Sequence, residues 1–283
     1  MDQFESIVVS DSSIPALTLT VILMTVLPVG LCIYWWLKHK GKTNISYLIA
    51  GILGFLVSAR VLELAVHYFC IVQDNPISRF INGSTLAYVI YGITMAGVFE
   101  ECGRHIILKY ILKKNRTREN AVLYGIGHGG IEVFLITLPS MARCLVIAVL
   151  FEAGDVKTAL STLNITEDAA AAVLPTVLAA ANFTYDAAVL NVLERVLTMC
   201  IHIGLTVVVF YGIVKGKKWC LPLAILLHMI VDTFAALYQR GAVSLVICEI
   251  WIAVWTTVIV AVAVKLYGKI KAPSEPADGS TAA

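Results

Sequence analysis

Two adjacent glutamates stand inside a long apolar stretch of the chain. Arg104 follows Glu100 by four residues and Glu101 by three, so on a helix its guanidinium can reach back to either carboxylate. An unpaired charge in a bilayer is costly, which predicts that Arg104 pairs with one acid and leaves the other free to act on a substrate. A buried ion pair that only fixes the helix register explains these three residues equally well.

Histidines and further carboxylates recur at helix spacing. His128 and Glu132 are four residues apart, as are His228 and Asp232, so each pair shares a helix face and the carboxylate can orient the imidazole. His202 stands in a separate apolar stretch. A glutamate that activates water, with histidines that orient the water or stabilise an oxyanion, can hydrolyse an amide.

The composition predicts the class of protein. The chain has 283 residues, of which 59% are hydrophobic and 14% charged, and its apolar runs are too many for a soluble core. We therefore predict an all-α, polytopic helical membrane protein. The net charge of +2 does not indicate a nucleic-acid partner. The cysteines stand singly without CxxC spacing, which is typical of packing residues.

Seven apolar segments are long enough to cross a bilayer. They are predicted at residues 14–37, 45–72, 83–112, 120–151, 189–214, 221–238 and 242–264. The acidic, alanine-rich loop 152–186 is predicted to carry an extra surface helix near residues 168–181, interrupted at Pro175.

The basic residues predict the orientation of the chain. They cluster after the first, third, fifth and seventh segments, at residues 38–42, 113–118, 215–218 and 265–271. All four clusters lie on one side if the N-terminus is outside, as the positive-inside rule requires. We predict a short external tail at residues 1–13, one transmembrane domain at 14–271 and a disordered cytoplasmic tail at 272–283.

Several polar residues are predicted to lie at a similar depth in the membrane. At about 1.5 Å of rise per residue, six side chains on four helices lie in one layer, roughly 12 to 20 Å from the cytoplasmic ends of their segments. They are Glu100, His128, Glu132, His202, His228 and Asp232. Their common depth predicts a single polar site in the inner half of the membrane.

Four other polar residues have simpler explanations. Arg60 and Glu63 are three apart and are predicted to form a structural ion pair. His67 and His105 are predicted to be packing residues with satisfied hydrogen bonds.

Glycines surround His128. Gly125, Gly127, Gly129 and Gly130 allow close approach to the backbone, either by a neighbouring helix or by an extended substrate. The sequence leaves both alternatives open.

Three motifs in order resemble those of the CAAX-protease and bacteriocin-processing (CPBP) membrane peptidases. They are Glu-Glu-x-x-x-Arg at Glu100, Glu101 and Arg104, aromatic-x-x-x-His at Tyr124 and His128, and His-x-x-x-Asp at His228 and Asp232. The resemblance covers the third to sixth segments. Within that superfamily the chain looks most like the bacterial YhfC-type intramembrane peptidases, supported by the glycine-rich stretch.

The resemblance implies roles for these residues. Glu100 is expected to activate water together with His128, while Arg104 holds Glu101. His228 and Asp232 are expected to support the oxyanion or the water. Asp232 stands where the wider family often has asparagine, and an ionised aspartate cannot donate a hydrogen bond, so we expect it to orient His228. Tyr124 stands where that family often has phenylalanine, and His202 and Glu132 have no counterpart in the simple motif.

The sequence leaves open whether the activity depends on a metal. His128, His202 and His228 with a carboxylate could hold a zinc ion, although no HExxH spacing is present. The resemblance favours glutamate-activated water with no required cofactor, and we prefer that mechanism, with zinc as the alternative.

The predicted function is an intramembrane peptidase that hydrolyses a peptide bond of a membrane-associated peptide or protein. Its expected surroundings are the lipid bilayer of a bacterial plasma membrane. The main alternative is a proton- or ion-coupled transporter, which would use a similar cluster of acids and histidines. A transporter often has paired halves, and no second copy of the glutamate motif or of the His-Gly motif is found in the sequence. A haem protein is a further alternative, which an absorbance band would reveal.

Overall fold

The computed structural model describes residues 2–154, 156–163 and 165–270. The predicted cytoplasmic tail at residues 272–283 lies outside these ranges. The described helices are α1 (Asp2–Glu5), α2 (Ser13–Lys38), α3 (Ile45–Val72), α4 (Pro76–Gly83), α5 (Thr85–Ile111), α6 (Arg118–Glu152), α7 (Val156–Thr162), α8 (Glu167–Ala181), α9 (Tyr185–Lys215), α10 (Cys220–Gln239) and α11 (Leu245–Tyr267). No β-strand occurs in these ranges, which confirms the predicted all-α class.

Within the described residues, six helices are long and apolar enough to cross a membrane: α2, α3, α6, α9, α10 and α11. Helices α4 and α5 make a seventh span if they are counted together, and they are bent by 108° at their junction. These findings confirm a polytopic helical membrane protein, and the bounds agree with the predicted segments to within a few residues at most ends.

The bend before α5 has a local cause. The backbone of Ser84 is extended (φ −132°), and its side chain accepts a hydrogen bond from the N–H of Ala87. This is an N-cap, which ends one helix and starts another. Helix α4 itself begins with a capping box at Asn75 and a proline at its first position, both typical of a helix start.

The surface helix predicted in the long loop is present as α8. It continues through Pro175, so the predicted interruption is wrong. A proline removes one backbone hydrogen bond, but the helix can continue when packing holds it in place. Val177 and Ala180, just after the proline, are buried in a hydrophobic cluster. Helix α7, in the same loop, was not predicted.

The chain forms two compact units. The first consists of Met1–Gly30 and Glu132–Val196. In it Phe4 of α1 packs with residues of α7, α8 and the second half of α6, namely Ile147, Phe151, Ala159, Leu160, Val177 and Ala180. The Ser13 hydroxyl donates a hydrogen bond of 2.6 Å to the carbonyl of Ala181, which joins the start of α2 to the end of α8.

The second unit, Leu31–Ile131 and Leu197–Ala283, contains α5 packed against α3 and α10. Glycine allows both contacts to be close. A Cβ on Gly97 would lie 2.9 Å from the Met229 side chain of α10, and one on Gly103 would lie 2.8 Å from the Ser58 side chain of α3. Helix α5 therefore holds its polar residues close to both neighbours.

Helices α3 and α6 meet backbone to backbone. A Cβ on Gly51 would lie 2.2 Å from the carbonyl oxygen of Tyr124, and one on Gly127 would lie 2.4 Å from that of Leu48. Helix backbone atoms cannot move away from an added Cβ as the end of a flexible side chain can. The two helices therefore require glycine at both positions.

This contact leads to a stability prediction. We expect Gly127→Ala to lower the free energy of unfolding by about 1 to 3 kcal/mol, because the added methyl group forces α3 and α6 apart. Thermal unfolding of the purified protein in detergent would measure it. The control is Gly92→Ala in α5, where nothing lies within 4 Å of the new Cβ and the gain in helix propensity should be neutral or stabilising. Equal unfolding temperatures for the two variants would contradict the proposed close contact.

Candidate active site

Glu100 of α5 contacts two histidines on other helices. Its Oε2 atom lies 3.0 Å from Nε2 of His128 on α6 and 3.8 Å from Nδ1 of His202 on α9. All three side chains are buried. We call this set the Glu100 triad.

Glu101, the next residue of α5, faces a different set of partners. One nitrogen of Arg104, Nη1, donates hydrogen bonds of 2.7 and 2.8 Å to its two carboxylate oxygens. His228 Nδ1 of α10 lies 2.9 Å from Oε1 of Glu101, and His228 Nε2 lies 3.3 Å from Oδ2 of Asp232. We call Glu101, His228 and Asp232 the Glu101 relay. The pairing of Arg104 with Glu101, predicted from their spacing, is confirmed.

Successive residues of a helix point about 100° apart, and this separates the two glutamates. Glu100 is directed to α6 and α9, whereas Glu101 is directed to α10. The three imidazoles nevertheless lie side by side, since the ring centroids of His128 and His202 are 4.9 Å apart and those of His202 and His228 are 5.7 Å apart. The structure therefore brings together residues 26 to 127 positions apart in the chain, since His202 and His228 are separated by 26 positions and Glu101 and His228 by 127.

His228 lies between two carboxylates. Carboxylates only accept hydrogen bonds, so the imidazole can donate to both Glu101 and Asp232 only when both of its nitrogens carry protons. The Asp232 side chain is 37% exposed, whereas those of Glu101 and His228 are buried. Asp232 is thus the accessible end of the Glu101 relay, and its contact with His228 agrees with the orienting role expected for it.

Two aromatic residues enclose His128. Tyr124, one turn earlier on α6, stacks on its ring at 6.2 Å, and Phe55 of α3 meets the ring edge-on at 5.3 Å. The buried hydroxyl of Tyr124 has no hydrogen-bond partner among the described residues. Phe55 was missed by the sequence reasoning, because an aromatic residue in an apolar segment carries no signal that it borders a polar site.

The glycines around His128 pack against neighbouring helices. A Cβ on Gly125 would lie 2.6 Å from Cα of Ile203, and one on Gly129 would lie 3.2 Å from Cβ of His202, both on α9. Gly127 faces α3. Of the two alternatives left open by the sequence, helix packing is therefore the one observed for these three glycines, and it brings His128 and His202 together.

Glu132 has a different partner from the one its spacing predicts. The carboxylate that contacts His128 is that of Glu100, whereas Glu132 lies 3.7 Å from Nη1 of Arg195 in the first unit. Arg195 also contacts Glu194, its neighbour in the chain. His128 and Glu132 share a helix face, so a contact between them was possible. Helix α5 instead places the carboxylate of Glu100 beside His128.

The predicted ion pair between Arg60 and Glu63 is also wrong. Glu63 Oε1 lies 3.1 Å from Nε2 of His67, and His67 Nδ1 lies 2.8 Å from the hydroxyl of Tyr91 on α5. Arg60 is exposed. Residues 56–63 form a π-helical segment, whose wider turn alters which residues share a face. His67 is thus a hydrogen-bonded packing residue, as predicted.

The Glu100 triad has the composition of a metal centre. Glu100, His128 and His202 each offer a ligand atom, and these atoms lie within 4.8 Å of one another. Two imidazoles and one carboxylate form a known donor set for catalytic zinc, which leaves a position for water or substrate. His228, which was included in the predicted zinc set, belongs instead to the Glu101 relay. The residues present therefore fit a zinc ion.

Buried glutamates and histidines that converge in a helical membrane protein are groups that a membrane hydrolase needs for its chemistry. The sequence profile of the YhfC intramembrane metalloprotease family matches residues 23–253. The chain is also 32% identical to the uncharacterized membrane protein YhfC of Bacillus subtilis (strain 168) over 236 residues, which is 83% of this chain and 89% of that protein. No solved structure matches the chain. The chain belongs to the YhfC intramembrane metalloprotease family.

Membership in this family confirms the predicted resemblance and makes the protein a membrane protease. It does not favour the transporter alternative. The family is described as one of metalloproteases, so the mechanism with no required cofactor, which we preferred from the sequence, is not supported.

Proposed function

We propose that this protein hydrolyses a peptide bond of a membrane-associated substrate at a zinc centre held by Glu100, His128 and His202. The observation that carries the proposal is the convergence of one carboxylate and two imidazoles from three helices within 4.8 Å. The relationship to a family of metalloproteases supports it further.

In this proposal each residue of the Glu100 triad contributes a lone pair to the metal. A zinc ion so held would polarise the scissile carbonyl and make a water molecule more acidic. His128 is fixed between Tyr124 and Phe55, which limits its rotation. The triad is buried, so its charges act in a medium of low dielectric constant, where they are most effective.

The Glu101 relay would supply the proton that the leaving amine needs. His228 can hold two protons because a carboxylate faces each of its nitrogens. As a general acid it would give one proton to the departing nitrogen. Asp232, the accessible end of the relay, would keep the imidazole charged and oriented. Glu101 is fixed by Arg104, so it would hold His228 at one position through the reaction.

A second form of the mechanism uses Glu100 itself as the base. Its carboxylate is hydrogen-bonded directly to Nε2 of His128 at 3.0 Å, so a water molecule bound beside this pair could lose its proton to Glu100 while His128 holds the carboxylate in place. The two forms share the same residues and differ in what Glu100 does, and zinc content separates them.

The basic clusters and the family support a proposal for the membrane location and orientation of the protein. We propose a bacterial plasma-membrane protein with an external N-terminus and a cytoplasmic C-terminus, whose site lies in the inner half of the bilayer. A buried site at that depth is suited to a peptide or protein substrate that is itself in the membrane.

Zinc content tests the zinc form. We expect the purified protein to hold zinc at close to one equivalent, and we expect His128→Ala and His202→Ala to lose most of it, because each removes a ligand. Elemental analysis and cleavage assays before and after chelation measure this. The matched control is His67→Ala, a histidine of the same unit that pairs with Glu63 and should leave zinc unchanged. Full cleavage by rigorously metal-free protein would exclude this form.

A further inference from the structure

Arg104 connects the Glu100 triad with the Glu101 relay. Its Nη1 atom bonds to Glu101, and its other terminal nitrogen, Nη2, lies 3.0 Å from Nδ1 of His202. The side chains of Arg104, Glu101 and His202 are all buried. One guanidinium thus makes three hydrogen bonds, two to Glu101 and one to His202, which its planar fork of donors permits.

The hydrogen bond from Arg104 determines which ring nitrogen of His202 carries the proton. A guanidinium has donors and no acceptor, so Nδ1 of His202 must accept the hydrogen bond with its lone pair. A neutral imidazole has only one lone pair, and its proton must then be on Nε2. While Arg104 is bonded in this way, neither nitrogen of His202 is available to a metal.

We propose that Arg104 is a positioning residue that sets the tautomer of His202 and competes with the metal for it, so that zinc loading requires this hydrogen bond to break. The inference rests on the proposed zinc site. As long as His202 is hydrogen-bonded to Arg104, the centre offers two ligands, Glu100 and His128. When the metal takes the lone pair of His202, Arg104 keeps its bonds to Glu101 and gives up the one to His202.

The competition between Arg104 and the metal for His202 is also electrostatic. The guanidinium carries a full positive charge, and it lies at hydrogen-bond distance from a ligand of a dication. Glu101 neutralises this charge through two hydrogen bonds, which makes a cation so near a metal centre tolerable. The ion pair of Arg104 with Glu101 and the ligation of zinc by His202 are therefore compatible, whereas the hydrogen bond of Arg104 to His202 and that ligation are not.

Nitrogen NMR of the wild-type protein tests the first part. In protein labelled with nitrogen-15 at histidine, the signals of His202 are identified by their absence from the His202→Gln variant. We expect metal-free protein to show His202 with its proton on Nε2 and an unprotonated Nδ1, and we expect added zinc to shift the unprotonated nitrogen. A proton on Nδ1, or a doubly protonated ring, in the metal-free protein would overturn the inference.

The Arg104→Lys variant tests the competition. Lysine keeps the positive charge beside Glu101 but has a single ammonium instead of a fork, so it cannot serve Glu101 and His202 with the same geometry. We expect its zinc affinity, measured by competition with a chromophoric chelator, to rise by about tenfold or more, because hydrogen bonds to charged groups are among the stronger ones. Arg79→Lys is the control, since Arg79 is exposed and pairs with Asp74.

The outcomes separate this inference from the proposed function. If His128→Ala and His202→Ala lose zinc while Arg104→Lys binds it no more tightly than wild type, the zinc site stands and the competition is refuted. If His202→Ala keeps full zinc affinity, His202 is not a ligand and both fail. If Arg104→Lys does not fold, the NMR experiment on wild-type protein decides the inference alone.

Discussion

Replacement of Glu100 by glutamine is expected to reduce peptide-bond cleavage by about 10³-fold or more while leaving the protein folded. Glutamine has nearly the same shape as glutamate, but it cannot accept a proton and is a poor zinc ligand. Glu100 contacts His128 at 3.0 Å and His202 at 3.8 Å, so both forms of the mechanism depend on its charge. Comparison of the peptides released in membranes that contain wild-type or variant protein measures the loss and also identifies substrates.

Zinc content tells the two forms apart in the same variant. If Glu100 is a ligand, Glu100→Gln also loses zinc; if it is the base in a metal-free site, substrate binding is retained and only the chemical step is lost. Glu63→Gln is the matched control, because it removes another buried carboxylate that pairs with a histidine of the same unit. It should leave cleavage close to the wild-type rate. Full activity of Glu100→Gln would refute both forms.

The second large effect is on folding. Arg104→Met is expected to lower the free energy of unfolding by about 3 to 5 kcal/mol, because it leaves Glu101 buried without its positive partner. Arg104 and Glu101 are fully buried, and the two hydrogen bonds between them are 2.7 and 2.8 Å long. The yield of folded protein in detergent, followed by thermal unfolding, measures this loss.

Two comparisons separate the charge from the shape of the side chain. The double variant Glu101→Gln with Arg104→Met removes both charges, so it should recover part of the lost stability. Glu100→Gln should be less harmful to folding than Arg104→Met, since it keeps a hydrogen-bonding side chain of the same shape, whereas Arg104→Met removes the guanidinium bonded to the buried Glu101. A larger loss of folded protein in Glu100→Gln would contradict the division of roles between the two glutamates.

Helical periodicity explains why much of this site was predictable. Arg104 lies one turn after Glu101 on the same helix, and His228 lies one turn before Asp232, so each contact is nearly fixed once the helix forms. The long apolar segments were equally clear, because the bilayer requires runs of about 20 apolar residues. Counting residues from the basic ends placed the histidines and acids at one depth, and the side chains of Glu100, His128, His202 and His228 do converge.

The errors came from contacts that periodicity allows but does not decide. Glu132 was placed beside His128 because the two share a helix face, yet Glu100 of another helix takes that position. Arg60 was paired with Glu63 by α-helical spacing, but that segment is π-helical and Glu63 bonds to His67. In each case more than one partner lay at a helical spacing from the residue. The packing of a second helix, or the wider turn of the π-helical segment, determined which contact formed.

The sequence by itself determined that this is a polytopic helical membrane protein, and it predicted several acids and histidines at a common depth. Both follow from burial in lipid and helix geometry, which are local properties of the chain. Only the tertiary structure decided which glutamate meets which histidine. Glu100 and Glu101 are neighbours in sequence. The glycine contacts that bring α6 close to α9 and α5 close to α10 place Glu100 beside His128 and His202 and Glu101 beside His228. The division between the Glu100 triad and the Glu101 relay follows from that close packing of helices, which pairs residues more than 25 positions apart. Contacts over such distances leave no periodic trace in the sequence.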